Sequence, residues 1–286
     1  MTIERGSVFV YRMFDVAEAI DLKGLEANAR ASRLRIARPG GQALIIKNAP
    51  LSIALGEHDV ALGERTHRCD VQARLWDYGV ISVQYRVPIA AGTTWTELVG
   101  IAAAIETTHV FEEAAKKRLQ ELMRDIHSAI RAPHHWDGTE DYVIYFLEEM
   151  RGVDNASSLP QQVDVAALLL GEATLPLSDR TRRSIAESTY QYWAHDLAVI
   201  DWNSALVVEP SGVRDVADVI EFALTHLMEL RYYDDLLDER LGHLYAAISQ
   251  SERTLFRTNY ARLSREASAL FSTSPSSSNG SRTRSK

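Results

Sequence analysis

Stretches rich in β-branched and aromatic residues alternate along this chain with runs whose apolar positions recur every three to four residues. The predicted elements follow that change of period. SVFVYRMFDVA at 7–17 predicts a strand, and Asp21 then stands as an N-cap before Leu22, Leu25 and Ala29, predicting a short helix at 21–31. Two apolar runs around Pro39-Gly40-Gly41 predict a hairpin. From 51 to 88 the chain is again β-rich: Val71, Ala73 and Leu75 alternate with Gln72 and Arg74, and Val80, Ile81, Val83, Tyr85 and Val87 resume after the turn Asp77-Tyr78-Gly79. Thr94 with Glu97 has capping-box spacing and predicts a helix start. A further helix at about 108–131 carries Val110, Ala114, Leu119, Leu122, Ile126 and Ile130 on its inner face. Its Glu112, Glu113, Lys116, Lys117 and Arg118 form a solvated face.

After Pro133 the order of elements recurs. A strand at 141–150, a helix over LPQQVDVAALLLGE, a helix capped by Ser178, a hairpin-like pair at 189–210 and a long helix at 214–248 follow one another. The stretch from Trp76 to Ile105 and the stretch from Ala194 to Leu224 both show an acidic turn, two short apolar runs, a proline, a glycine loop and a helix. The expected fold is therefore α+β, built of two similar modules of antiparallel strands covered by helices, at 1–132 and 139–250, through an internal duplication. A terminal helix at 251–271 and a disordered serine-rich tail at 272–286 complete it.

Composition narrows the function. The 286 residues are 46% hydrophobic and 24% charged, with net charge −8, which argues against general phosphate neutralisation and points to no DNA partner. A single cysteine, Cys69, excludes an internal disulfide and reads as a small strand hydrophobe in a reducing compartment. No apolar run approaches the roughly 18 residues of a spanning helix, and the N-terminus lacks a signal-peptide pattern, so a cytoplasmic location is expected.

The run DYGVISVQYRVP, followed by DLAVIDWNSALVVEP and VIEFALTHLMELRYYDDLLDERL, resembles the family named for being required for meiotic nuclear division. That is a domain-of-unknown-function group with bacterial and mitochondrial members. The likeness rests on Asp77-Tyr78-Gly79-Val80, the Asp201-Trp202-Asn203 turn, Pro210, and the helix from Glu229-Leu230-Arg231-Tyr232 to Asp238, and it reaches to about residue 250. The resemblance implies no catalytic residues. It implies links to organelle translation and membrane association through a hydrophobic C-terminal anchor, which is not seen here after residue 250.

Four constellations are candidates for chemistry. His134-His135-Trp136-Asp137 is dense in ligand types, but adjacent histidines point apart, so it reads as a turn. His58, Asp59 and His67 could meet on facing strands as a metal site. Asp234 and Asp238 share a helix face, and with His195 and Asp201 could supply a metal- or phosphate-dependent active site, although Arg231 pairs locally with the nearby acids. Asp196 and Asp201-Trp202-Asn203 read otherwise as hairpin turns. Arg30, Arg33, Arg35 and Arg38 could form a basic RNA patch, without the aromatic platform that stacking requires.

No nucleophile elbow, phosphate loop, dinucleotide fingerprint or zinc-protease motif occurs, and no cofactor is indicated. The leading expectation is a non-enzymatic interaction or scaffold protein whose amphipathic helices at 108–131 and 214–248 engage a protein partner or a second copy. The enzyme built on His195, Asp201, Asp234 and Asp238 is the alternative. An RNA-associated accessory protein is the third reading.

Overall fold

The computed structural model describes residues 1–26, 31–33, 48–63, 65–153 and 155–253. Arg30, Arg35, Arg38, the Pro39-Gly40-Gly41 hairpin, the terminal helix beyond 253 and the serine-rich tail lie outside the described residues. Arg33 is described as strand backbone.

In chain order the elements are β1 (Thr2–Asp15), β2 (Ala17–Ile20), α1 (Leu22–Glu26), β3 (Ala31–Arg33), β4 (Leu51–Leu62), β5 (Arg65–Leu75), β6 (Val80–Pro88), β7 (Thr93–Thr94), α2 (Trp95–Thr107), α3 (Val110–Asp125), β8 (Ile130–Pro133) and β9 (Thr139–Arg151). They continue as α4 (Leu159–Gln162), α5 (Val165–Leu169), α6 (Asp179–Glu187), β10 (Thr189–Tyr190), β11 (Leu197–Ile200), β12 (Ser204–Val208) and α7 (Asp215–Arg253). The class is α+β. The chain forms two compact units, Met1–Glu229 and Leu230 onward.

β1 is the axis of the first unit. It pairs antiparallel with β6 and with β9 and is buried along most of its length, because both faces of the sheet are covered. Strand alternation sends Val8, Val10 and Phe14 to the face packed by α2, α3 and α5. Phe9, Tyr11 and Met13 go to the face packed by Ala217, Ile220 and Leu224 of α7.

The ten-stranded sheet runs β10-β11-β12-β9-β1-β6-β5-β4-β3, with β7 on β1, while β2 and β8 form a separate ribbon. The residues assigned to two modules thus share one sheet. Outward from the β1–β9 pair the strand order is alike on both sides, but β6 is antiparallel to β1 whereas β12 is parallel to β9. The expectation of purely antiparallel sheets is corrected at that pair, where α4, α5 and α6 intervene between the strands and supply the crossover a parallel neighbour needs.

Local chemistry explains several boundaries. Thr94 and Glu97 form the capping box that opens α2, and Ser178 accepts from Thr181 N–H at 3.2 Å to open α6. The single helix expected over LPQQVDVAALLLGE is two, because Asp164 caps a new start by accepting from Ala167 N–H at 3.1 Å. α3 is shorter than expected; Leu122 is buried, and Ala114 and Leu119 pack against the core as expected, but Val110 is exposed. Phe111 and Ala115 join the inner face, Phe111 packing edge-on against Tyr85, 5.3 Å between centroids. In the turn before β6, Gly79 has φ +94°, and a Cβ there would fall 1.6 Å from the carbonyl oxygen of Ala17.

Candidate functional site

Within the first unit, the residues proposed from sequence do not gather into one site. His195 is exposed in the bend before β11, and Asp201 follows the far end of that strand. Asp196 accepts from the backbone N–H groups of Tyr192 and Trp193 at 3.0 and 2.7 Å, and Asp201 N–H donates to Ser204 O at 2.8 Å, so both serve turns. Asp234 and Asp238 are exposed on α7. His58 pairs across the ladder with Cys69 and Val60 with His67, which puts the two histidines on one sheet face and Asp59 on the other. His58 packs edge-on to Tyr85, and burial lowers the pKa of His67. Among the described residues no group of three or more His, Cys, Asp and Glu is arranged to hold a metal ion.

What the fold does assemble is a charge cluster sealed between the sheet and the start of α7. Register places Arg74 of β5 opposite Ser82 of β6, and Gln84 of β6 opposite Tyr11 of β1. α7 lowers Asp218 and Glu221 onto them. Arg74 Nη1 lies 2.5 Å from Glu221 Oε2 and 2.8 Å from Asp218 Oδ1, and the Ser82 hydroxyl donates to Glu221 Oε1. Gln84 donates to the Tyr11 hydroxyl at 2.5 Å and accepts from Arg214 Nη2 at 2.9 Å, while the Arg214 guanidinium sits 4.5 Å above the Phe9 ring. The Glu221 side chain is 0% exposed.

Burial pushes the Glu221 carboxyl up, while Arg74 and the Ser82 hydrogen bond pull it back. Burial likewise works against the Arg74 cation, but Glu221 and Asp218 outweigh it and its pKa is raised. Burial, then Glu221, raises that of Tyr11. The arrangement clamps a helix to a sheet and leaves no opening for a substrate at its charges. A cleft of about 290 Å³ lies elsewhere, lined by Gln161, Asp164, Arg182, Ile185 and Val199, and its Asp164 and Arg182 pair with each other at 2.8 Å.

A second buried pair ties the end of β1 to the segment after β8. His134 Nε2 lies 2.9 Å from Asp15 Oδ1, whereas His135 is exposed, so the adjacent histidines do point apart. Burial, with Glu229 nearby, pushes the Asp15 carboxyl up to about 7, and burial lowers His134. Tyr78 stacks on His226 at 4.7 Å and bonds Thr225 Oγ1 at 2.7 Å close by.

Sequence reading placed Arg74 on a polar strand face and passed over Glu221. The available signal was Glu221 itself, on the same helix face as Ala217, Leu224 and Met228, where an unpaired acid would be costly. Beyond Glu229, in the second unit, α7 instead exposes Leu230, Leu237, Leu241 and Tyr245.

The fold and this cluster define an α+β domain of one mixed sheet enclosed by helices, with its strongest polar chemistry locked inside. Residues 5–215 match the family described as "Uncharacterized protein MJ0711, N-terminal domain", and the chain belongs to that family. The match closes at Asp215, the first residue of α7. No curated protein and no solved structure matches the chain. Among the described residues no helix is long and apolar enough to cross a membrane.

Proposed function

We propose that this chain is a non-enzymatic interaction or scaffold protein, and that the contact surface is the part of α7 past Glu229. One observation carries the reading. Leu230, Leu237 and Leu241 are 66%, 40% and 41% exposed, and their spacing along α7 groups them on a helix face other than the one that buries Leu224 and Met228. Exposed apolar residues grouped on one helix are the usual mark of an association surface. Of the two helices expected to offer such a face, α3 packs its own into the core through Phe111, Ala115 and Leu122. The likeness to the meiotic nuclear division group supports the same reading, because that group brings no catalytic residues with it.

Amide hydrogen exchange of the purified full chain tests this. Residues 230–246 should exchange slowly in the wild type and rapidly in Leu230→Asp/Leu237→Asp, with the amides before Glu229 unchanged. Fast exchange of 230–246 in both proteins would contradict it.

A further inference from the structure

We infer that the occupant of the exposed α7 face is a second copy of this chain, paired antiparallel as a two-stranded coiled coil. The inference rests on the interaction reading above and names its partner. Along α7, Leu230, Leu237 and Leu244 recur every seven residues, and Leu227, Asp234 and Leu241 fill the alternate seam positions. This is a heptad repeat with one acidic residue in its seam.

That residue selects the orientation. In a parallel pair Asp234 would face Asp234 of the other copy, two like charges meeting in an apolar seam. An antiparallel pair centred between Asp235 and Leu236 sets Asp234 level with Leu237 of the second copy, Leu230 with Leu241, and Leu227 with Leu244.

The flanking positions agree. With that centre, Arg231 lies beside Asp238 of the second copy, and symmetry makes the contact twice. Tyr233 lies beside Arg240 of the second copy, also twice, which is a cation–π arrangement. In a parallel pair the flanking contacts would join Tyr233 to Asp238 and Arg240 to Tyr245, with no ion pair. Charge complementarity therefore appears in one orientation and not in the other. The segment at 251–271 is a poorer occupant, because Arg253, Arg257, Arg262 and Arg265 would bring further positive charge towards Arg231 and Arg240.

Two measurements on the full chain test the pairing. Mixed Arg231→Cys and Asp238→Cys proteins should form a disulfide-linked heterodimer under mild oxidation, while neither links to itself, and the buried Cys69 stays silent. Reversing one charge in Arg231→Glu should weaken dimerisation roughly tenfold. The compensated Arg231→Glu/Asp238→Arg protein should regain it. Asp238 is exposed while Arg231 and Tyr233 are half-buried on α7, so each variant is compared with the wild type by its folded spectrum. A link between Tyr233→Cys and Asp238→Cys, or a stable assembly indifferent to both charge reversals, would overturn the antiparallel copy and leave the interaction reading standing. A monomer with rapidly exchanging 230–246 amides would overturn both.

Discussion

Arg74 of β5 and Glu221 of α7, 147 residues apart in sequence, meet at 2.5 Å inside the protein, with Asp218 completing the contact on Arg74. A buried ion pair contributes little net stability over an apolar pair of similar volume, but removing one partner strands the other charge without water. Arg74→Met leaves both Glu221 and Asp218 buried without their cation and should destabilise the protein by about 3–5 kcal/mol, whereas Glu221→Leu leaves Arg74 paired with Asp218 and should cost less. The double variant should cost clearly less than the sum, as a double-mutant cycle in urea would show. Additive losses would mean that the two side chains do not depend on each other.

Gly79 admits no side chain. Its φ of +94° and the Ala17 carbonyl where a Cβ would stand make Gly79→Ala a direct clash, and Val16 N–H would lose its 3.1 Å bond to Gly79 O as the turn shifts. A loss of more than about 2 kcal/mol is expected. An unchanged denaturation midpoint would show that the turn is not held against β2.

Asp15 gives a pH dependence of defined sign. Its pKa in the folded protein, about 7, lies above the ordinary carboxylate value of 3.8. The fold therefore favours its protonated form, a contribution complete below about pH 4 and lost as pH rises through 7. Asp15→Asn keeps the shape without the charge and removes that fall. Facing Asp15 are His134, Glu229 and Glu18, and the lowered pKa of His134 works with the opposite sign, its contribution being lost as pH falls. Between pH 5 and 8 the variant should gain about 2–4 kcal/mol on the wild type, measured by urea unfolding at each pH. Parallel pH profiles would contradict the burial of a protonated Asp15.

Cys69 should be inert. Burial, with Asp59 and Asp70 nearby, pushes its thiol up to about 11, so a thiol reagent at about pH 8 should leave the native protein unlabelled and modify it only in urea. Rapid native labelling would place the thiol at the surface.

Elements that declare themselves locally were legible in the sequence. The Thr94–Glu97 box, the Ser178 cap, the turns at Asp77-Tyr78-Gly79 and Asp201-Trp202-Asn203, and the strands about Val8 and Val83 depend on neighbours within a few residues. What sequence reading could not reach depended on a distant partner. Arg74 looked like a solvent-facing residue because the alternation of β5 says which residues share a face, not that α7 covers that face. The break before Asp164 was hidden because one cap competes with a helix pattern that otherwise continues. The joining of both halves in one sheet follows from β1 pairing with β9, whose partners run from Phe14 and Thr139 to Thr2 and Arg151, far apart in sequence. The site residues proposed at His195, Asp201, Asp234 and Asp238 were chosen by type and spacing, which cannot tell a turn or an exposed helix face from a converging pocket.

Light scattering of the full chain over a dilution series, beside the Leu230→Asp/Leu237→Asp variant, reads the pairing of α7 from the mass in solution. The wild type should reach twice the 32.0 kDa of one chain at high concentration, and the variant should stay at 32.0 kDa with its folded spectrum intact. A wild type that remains at the mass of one chain at every concentration would contradict it.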